Sequence, residues 1–218
     1  MTDVKLQTAT ASLCLQFLLG ILTLSSLAFD IGSENQTITE IVILESVSQL
    51  VEFLWYSWVV CYYRKIITWT RYIDWVFSTP IMILSTIAFF EYSRDKTFRI
   101  IDLFSDGLIY IIFITNWLML LYGFLVETNK APMVVGLTLG TMSFILSWYL
   151  IAWYAINSKD VTSMILFGIL YTIWALYGVA ATLSDNKKNV FYNILDLFSK
   201  NLYGAFLFAY SIHLSQNK

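Results

Sequence analysis

Seven apolar stretches, each long enough to cross a bilayer, divide this chain, and the polar links between them are too short to fold on their own. A hydrocarbon core of about 30 Å takes about 20 apolar residues of helix to span. Backbone groups in lipid have no water to bind, so a spanning segment pairs them internally as helix. The stretches run approximately from Thr8 to Phe29, Glu40 to Tyr63, Trp69 to Phe90, Phe98 to Leu125, Met133 to Ile156, Thr162 to Leu183 and Val190 to His213. Between them lie Asp30 to Thr39, Arg64 to Thr68, Glu91 to Thr97, Glu127 to Pro132, Asn157 to Asp160 and Ser184 to Asn189. The fold class predicted is an all-α membrane protein, a seven-transmembrane-helix bundle with residues 1–218 as one domain and the lipid bilayer as its solvent. No internal repeat is visible, which argues against seven-helix transporters built from duplicated halves.

Composition agrees with a membrane setting. Only 13% of residues are charged and 58% are hydrophobic, against about 25% charged in soluble domains. A net charge of -2 gives no footing for nucleic acid. Cys14 and Cys61 have neither metal nor disulfide spacing and read as small core residues. No metal site is expected, and nothing points to an enzyme. The first stretch, with a lysine ahead and small residues at Ser25, Ser26 and Ala28, also fits a cleaved leader. Ser12 and Gln16, four apart, make a polar stripe that a leader core does not need, and the stretch is read as the first helix.

Charge inside these stretches is the functional signal. Lys200 lies in the middle of the last one, where an ionisable group costs about 2.5 to 3.5 kcal/mol on insertion scales and marks a functional site. Asp196, four residues earlier, shares its helical face and is the expected partner. A lysine in an apolar pocket is also a Schiff-base former, because desolvation frees its amine to attack an aldehyde. In the third stretch, Arg71-Tyr72-Ile73-Asp74-Trp75-Val76-Phe77-Ser78-Thr79-Pro80, helical periodicity puts Arg71, Asp74, Ser78 and Ser85 on one face.

That string together with Asp196-x-x-x-Lys200 resembles the microbial (type 1) rhodopsins. The resemblance spans the whole chain and is loosest over the fifth and sixth stretches. It implies all-trans retinal bound to Lys200 as a protonated Schiff base in the interior of the bundle. Asp74 and Asp196 would be the counter-ion pair with Arg71 beside them, and Trp75, Thr79, Phe167 and Trp174 would line the pocket. The sixth stretch departs from the pattern, with Phe167 where tryptophan is usual and Tyr171 where proline is usual. The two cations, Arg71 and Lys200, would then balance Asp74 and Asp196. Glu45, Glu52 and Asp106, also counted inside the stretches, are left without a cation.

Glu45, Gln49 and Glu52 fall at i, i+4 and i+7 and form one stripe. Such a stripe is either a hydrogen-bonded seam between helices or a carboxylate-lined cation pathway. Here the resemblance narrows to the channelrhodopsins, which share the Lys200-Asn201 pair. It implies a central gate of Ser12, Glu45 and Asn201, a pathway past Gln16, Gln49 and Glu52, and a second gate joining Thr79 to Asp106. Thr79 stands where the algal channels commonly have cysteine. The short chain is most similar to the channel-type rhodopsins of large algal viruses. The function so implied is a light-gated channel for sodium, potassium or protons, compatible with a homo-oligomer. An outward proton pump is the alternative, although Ser85 stands eleven residues after Asp74, where a pump wants a carboxylate, and Ser184 to Asn189 lacks glutamates. A sensory rhodopsin is a third class.

The resemblance puts the Arg71 end of its helix outside, hence an extracellular amino terminus and a cytoplasmic carboxyl terminus. Basic residues do not decide it: Arg94, Lys96, Arg99, Lys159 and Lys218 would be inside against Lys5, Arg64, Lys65, Lys130, Lys187 and Lys188 outside. Trp55, Tyr56, Trp58, Tyr62 and Tyr63 read as an interfacial aromatic belt, and His213 as a capping residue.

Overall fold

The structure is a computed structural model that describes residues 4–63 and 66–217. Arg64, Lys65 and Lys218, counted above for orientation, lie outside the described residues, as does the Tyr63 side chain. The helices are α1 (Val4–Ser25), α2 (Gln36–Ser57), α3 (Arg71–Arg94), α4 (Gly107–Glu127), α5 (Met133–Ser158), α6 (Val161–Ala181), α7 (Asp185–Asp196) and α8 (Leu202–Gln216). A π-turn, Leu197–Asn201, joins α7 to α8 within the last apolar stretch, so the eight helices make a seven-helix bundle.

Length and apolarity alone qualify five segments as membrane-crossing: Val4–Ala28, Thr68–Arg94, Gly107–Glu127, Met133–Ser158 and Val161–Ala181. The other two expected crossings fall short for a physical reason. α2 carries Glu40, Glu45 and Glu52, and the last crossing is broken by the π-turn and carries Asp196 and Lys200. These two crossings share the buried charges with α3, which carries Arg71 and Asp74.

α3 is the central helix. Its apolar span is 72% buried against 22% for that of α1, and its Ile83, Ile87, Phe89 and Phe90 belong to the main core. Pro80 lies inside α3 and has no N–H, which removes the bond to the carbonyl of Val76. Trp117 of α4 takes that carbonyl with its indole N–H at 3.1 Å. A defect in one helix thus becomes a tie to the next.

Several expectations change. α4 begins at Gly107, because Asp106 is its N-cap and accepts from the Leu108 N–H at 2.9 Å. Asp106 therefore sits at the end of a crossing and not inside one. Cys14 and Cys61 are both exposed, Cys14 because α1 turns its Ser12–Gln16 stripe inward and its remaining faces outward. Trp55 and Tyr56 are buried, so of the aromatic belt Trp58 and Tyr62 remain as exposed rings. Exposed Leu18, Phe77 and Val134 suit a lipid-facing surface.

Gly204 marks the tightest approach of α8. A β-carbon there would run into the side chains of Gln49 and Thr23, whereas one at Gly168 meets nothing. Gly204→Val should therefore lower the thermal unfolding midpoint in detergent, with an overpacking cost of about 1–3 kcal/mol. Gly168→Ala should leave it unchanged or raise it by no more than about 1 kcal/mol equivalent.

Candidate functional site

Lys200 sits on the π-turn, where an extra residue per turn rotates the helix out of its usual register. Its own carbonyl accepts from Gln49 Nε2 at 3.3 Å, a contact the bare Gly204 below makes room for. The register change decides the ion pairing. Lys200 Nζ lies 2.7 Å from Asp74 Oδ2 and 3.7 Å from Glu52 Oε1. Asp196, the partner expected from four-residue spacing, is turned away to Arg71 Nη1 at 3.0 Å. Its two oxygens also accept from Tyr56 and Tyr177, each at 2.7 Å.

All five ionisable groups are essentially sealed, at 0–2% exposure. A buried charge is tolerable only when paired and hydrogen-bonded. Here two cations, Arg71 and Lys200, face three acids, Asp74, Asp196 and Glu52. Arg71 is the most heavily anchored: it donates to Asn189 from Nε at 3.2 Å and to Asn193 from Nη2, and lies 4.9 Å from the Trp55 ring centre. Cation–π contact of this kind adds to the ionic hold.

The residues expected to form a central gate are not joined to one another. Ser12 donates to the Asn193 carbonyl at 3.1 Å and accepts from Gln16. Glu45 receives a long contact, 3.5 Å, from Ser85. Asn201 reaches Glu52, also at 3.5 Å. Glu45 and Glu52 are seven residues apart, about 10 Å along a helix axis, so one of them alone can stand level with Asn201. Glu52 is that residue. Thr79 likewise does not meet Asp106. It accepts from Asn116 Nδ2 at 2.7 Å, while Asp106 accepts from Tyr154 at 2.6 Å, ten residues or about 15 Å down α4.

A cavity of about 540 Å³ opens at the Lys200 end and extends between α3, α4, α5 and α6. Trp75, Thr79, Met82, Met119 and Trp174 line it. Phe167 does not. It stands behind the wall, stacked on Tyr171 at 6.0 Å and against Trp148 at 5.7 Å, and Tyr171 lines the cavity in its place. The volume lies in the range of small-molecule pockets. An amine at one end of an aromatic, otherwise apolar slot suits a long apolar aldehyde, and the residues present fit retinal.

Sequence reasoning missed Tyr56, Tyr177, Asn116, Asn189 and Asn193. Two of these had a readable signal: Asp185, Asn189, Asn193, Asp196 and Lys200 recur at spacings of four, four, three and four. Asn189 Nδ2 donates to Thr68 at 2.7 Å, and Asn193 Nδ2 to Thr8 at 2.7 Å. Ten buried side-chain polar atoms among the described residues have no hydrogen-bond partner, including those of Gln16, Glu45, Ser48, Gln49, Glu52 and Asn201. Most lie on facing sides of α1, α2, α3 and the π-turn.

Arg71→Met should cost about 3–5 kcal/mol, because it leaves the Asp196 carboxylate buried without its cation. Lys5→Ala, which breaks the partly exposed Lys5–Asp185 pair, should cost under about 1 kcal/mol. Thermal midpoints of the two variants check the contrast, and equal shifts would contradict it.

Comparison with known proteins agrees with this architecture. The structure is similar to that of the viral rhodopsin OLPVRII, with a TM-score of 0.86 and 26% identity over 97% of this chain and 99% of that one. It is similar in fold to the thermophilic rhodopsin of Rubrobacter xylanophilus, with a TM-score of 0.73 and 17% identity over 97% and 98% of the two chains. A light-driven proton pump of Leptosphaeria maculans also matches, with a TM-score of 0.75 and 13% identity over 98% of each chain. No curated protein sequence matches the chain. The sequence profile of the bacteriorhodopsin-like proteins covers residues 7–214, so with its buried lysine, aromatic slot and seven-helix bundle this chain belongs to the bacteriorhodopsin-like family, whose chromophore is retinal.

Proposed function

We propose that the chain is a light-gated cation channel with all-trans retinal on Lys200, its amino terminus outside and its carboxyl terminus in the cytoplasm. The observation that carries this reading is the column of buried side-chain polar atoms without hydrogen-bond partners on Gln16, Glu45, Ser48, Gln49, Glu52 and Asn201. Buried polar groups are nearly always satisfied, and unpaired ones are met by ordered water or an ion. A run of them beside two acids is a wettable path, and acid-lined paths favour cations. Ser85, where a pump would carry a carboxylate, supports the same reading.

Retinal held on Lys200 would supply a light-driven change of shape beside the positive charge at that nitrogen. Asp74 holds that charge at the Lys200 nitrogen and is the nearest proton acceptor. Asp196 is a fixed anion, held by Arg71, Tyr56 and Tyr177. Glu52 is the mobile element in this scheme: it touches both Lys200 and the path residue Asn201, so a change at the nitrogen is felt in the path. Asn116 and Trp117 couple α4 to α3 at Thr79 and Val76, where motion of the slot reaches the helix. The contact between Glu45 and Ser85 favours a second reading, an outward proton pump in which Glu45 replaces the missing helix-3 carboxylate.

Photocurrent measured against voltage in retinal-supplied cells separates the two, because a channel current reverses with the ion gradient and a pump current does not. Lys200→Ala should abolish the covalent visible pigment, since alanine has no amine to condense. A Schiff-base band retained in that variant would end the assignment. Asp74→Asn should move the absorption to longer wavelength by removing the anion 2.7 Å from the nitrogen. Glu52→Gln should change both the spectrum and the reversal potential under opposed sodium and proton gradients. Glu45→Gln, farther from Lys200, should change the reversal potential with the spectrum unmoved, and identical potentials in both variants and the parent would refute the α2 path.

A further inference from the structure

Polar side chains run without a break from Asp196 to the surface at the start of α7. Arg71 bridges Asp196 to Asn189 and Asn193. Asn193 then reaches Thr8 and the Lys5 carbonyl, and Asn189 reaches Thr68 and Asp185. Arg71, Thr68, Asn189 and Asn193 are all at 3% exposure or less. Among the described residues the run reaches water where Lys5 Nζ of α1 lies 2.8 Å from Asp185 Oδ2 of α7. The Asp185 side chain is 61% exposed and that of Lys5 15%. Thr68 donates to the other Asp185 oxygen at 3.0 Å.

This layer presents one held carboxylate to one cation. Asp185 is the anion of this layer: one of its oxygens accepts from the Thr68 hydroxyl and the Asn189 amide N–H, and the other carries the ammonium of a lysine from another helix. We propose that Lys5 is a tethered-cation plug on Asp185, closing the Arg71 end of the polar run in the dark, and that its departure opens that end to small cations. The energetics suit a plug. Ion pairs exposed to water contribute little, so this one parts and re-forms readily, whereas the sealed Arg71–Asp196 pair beneath does not. Lys5 lies near the amino end of α1 and meets α7 through this ion pair and the Lys5 carbonyl bond to Asn193, so relative movement of these two helices strains the pair. What passes once the plug leaves rests on the channel reading; the seal itself does not.

The test reads access to a site beneath the plug. Ser12→Cys places a thiol against Asn193, 1% exposed in the parent, in a full-length, retinal-bound protein carrying Cys14→Ser and Cys61→Ser. The probe is a methanethiosulfonate bearing trimethylammonium, itself a small cation, applied in the dark to detergent-solubilised protein. Adding Lys5→Ala should raise the labelling rate about tenfold, Asp185→Asn should do the same, and the two together should give no further rise, as expected of partners in one contact. Lys5→Arg should label at the parent rate. Unchanged rates in both single variants, or rises that multiply in the double variant, would overturn the plug. If Lys5→Ala loses the pigment, Asp185→Asn decides alone by the same criterion. A parent without a reversing photocurrent would remove the channel reading and leave the labelling result standing.

Discussion

Two cations sealed in the middle of the bundle, Arg71 and Lys200, have to meet anions there, because an unpaired charge at that depth is far more costly than any single packing contact. That requirement dictates how the helices come together. Asp74 on α3, Glu52 on α2 and Asp196 at the end of α7 converge on the two cations, and Tyr56 and Tyr177 complete the hydrogen bonding. Moving α2 or α7 by one turn would separate these buried charges from one another. The pairing therefore sets the mutual height of the crossings, which apolar packing against lipid leaves nearly free.

Two interruptions in otherwise regular helices place the reactive groups. The π-turn at Leu197–Asn201 carries Lys200 away from Asp196 and toward Asp74, and Gln49 satisfies the carbonyl it leaves over. Pro80 in α3 frees the Val76 carbonyl for Trp117, which draws α4 against the aromatic slot. In both cases a backbone group released within one helix is taken by a side chain of another, as the absence of water in a membrane interior demands. The same rule accounts for the short α4, whose first turn is capped by Asp106.

The interior divides into two unlike halves. Between α3 and α6 lies an apolar slot of about 540 Å³ walled by Trp75, Met82, Met119, Tyr171 and Trp174. Between α1, α2 and α7 lies a polar seam of acids, amides and hydroxyls, some paired and some not. Lys200 stands on the boundary, with its stem toward the slot and its charge toward the seam. On the channel reading proposed above, a chromophore site and a path that share Lys200 would link light to the path, with Glu52 and Asn201 as the first groups on the far side.

Much of this could be read along the chain, and the reason is the solvent. Lipid makes every crossing an apolar run of helix length, so the number of crossings, the anomaly of Lys200, and the shared face of Arg71 and Asp74 are all visible in spacing alone. What spacing cannot carry is the relative height and rotation of different helices. The family resemblance put Glu45 with Asn201, which contacts Glu52, and Asp106 with Thr79, which contacts Asn116, because a motif match carries no depth. Spacing paired Lys200 with Asp196 on an ideal helix, since a π-turn leaves no mark in composition. The sequence by itself determined seven helices in a membrane around one buried amine. The tertiary structure alone decided which acids meet that amine, because heights across the bundle follow from buried ion pairs and backbone defects that join residues more than a hundred positions apart.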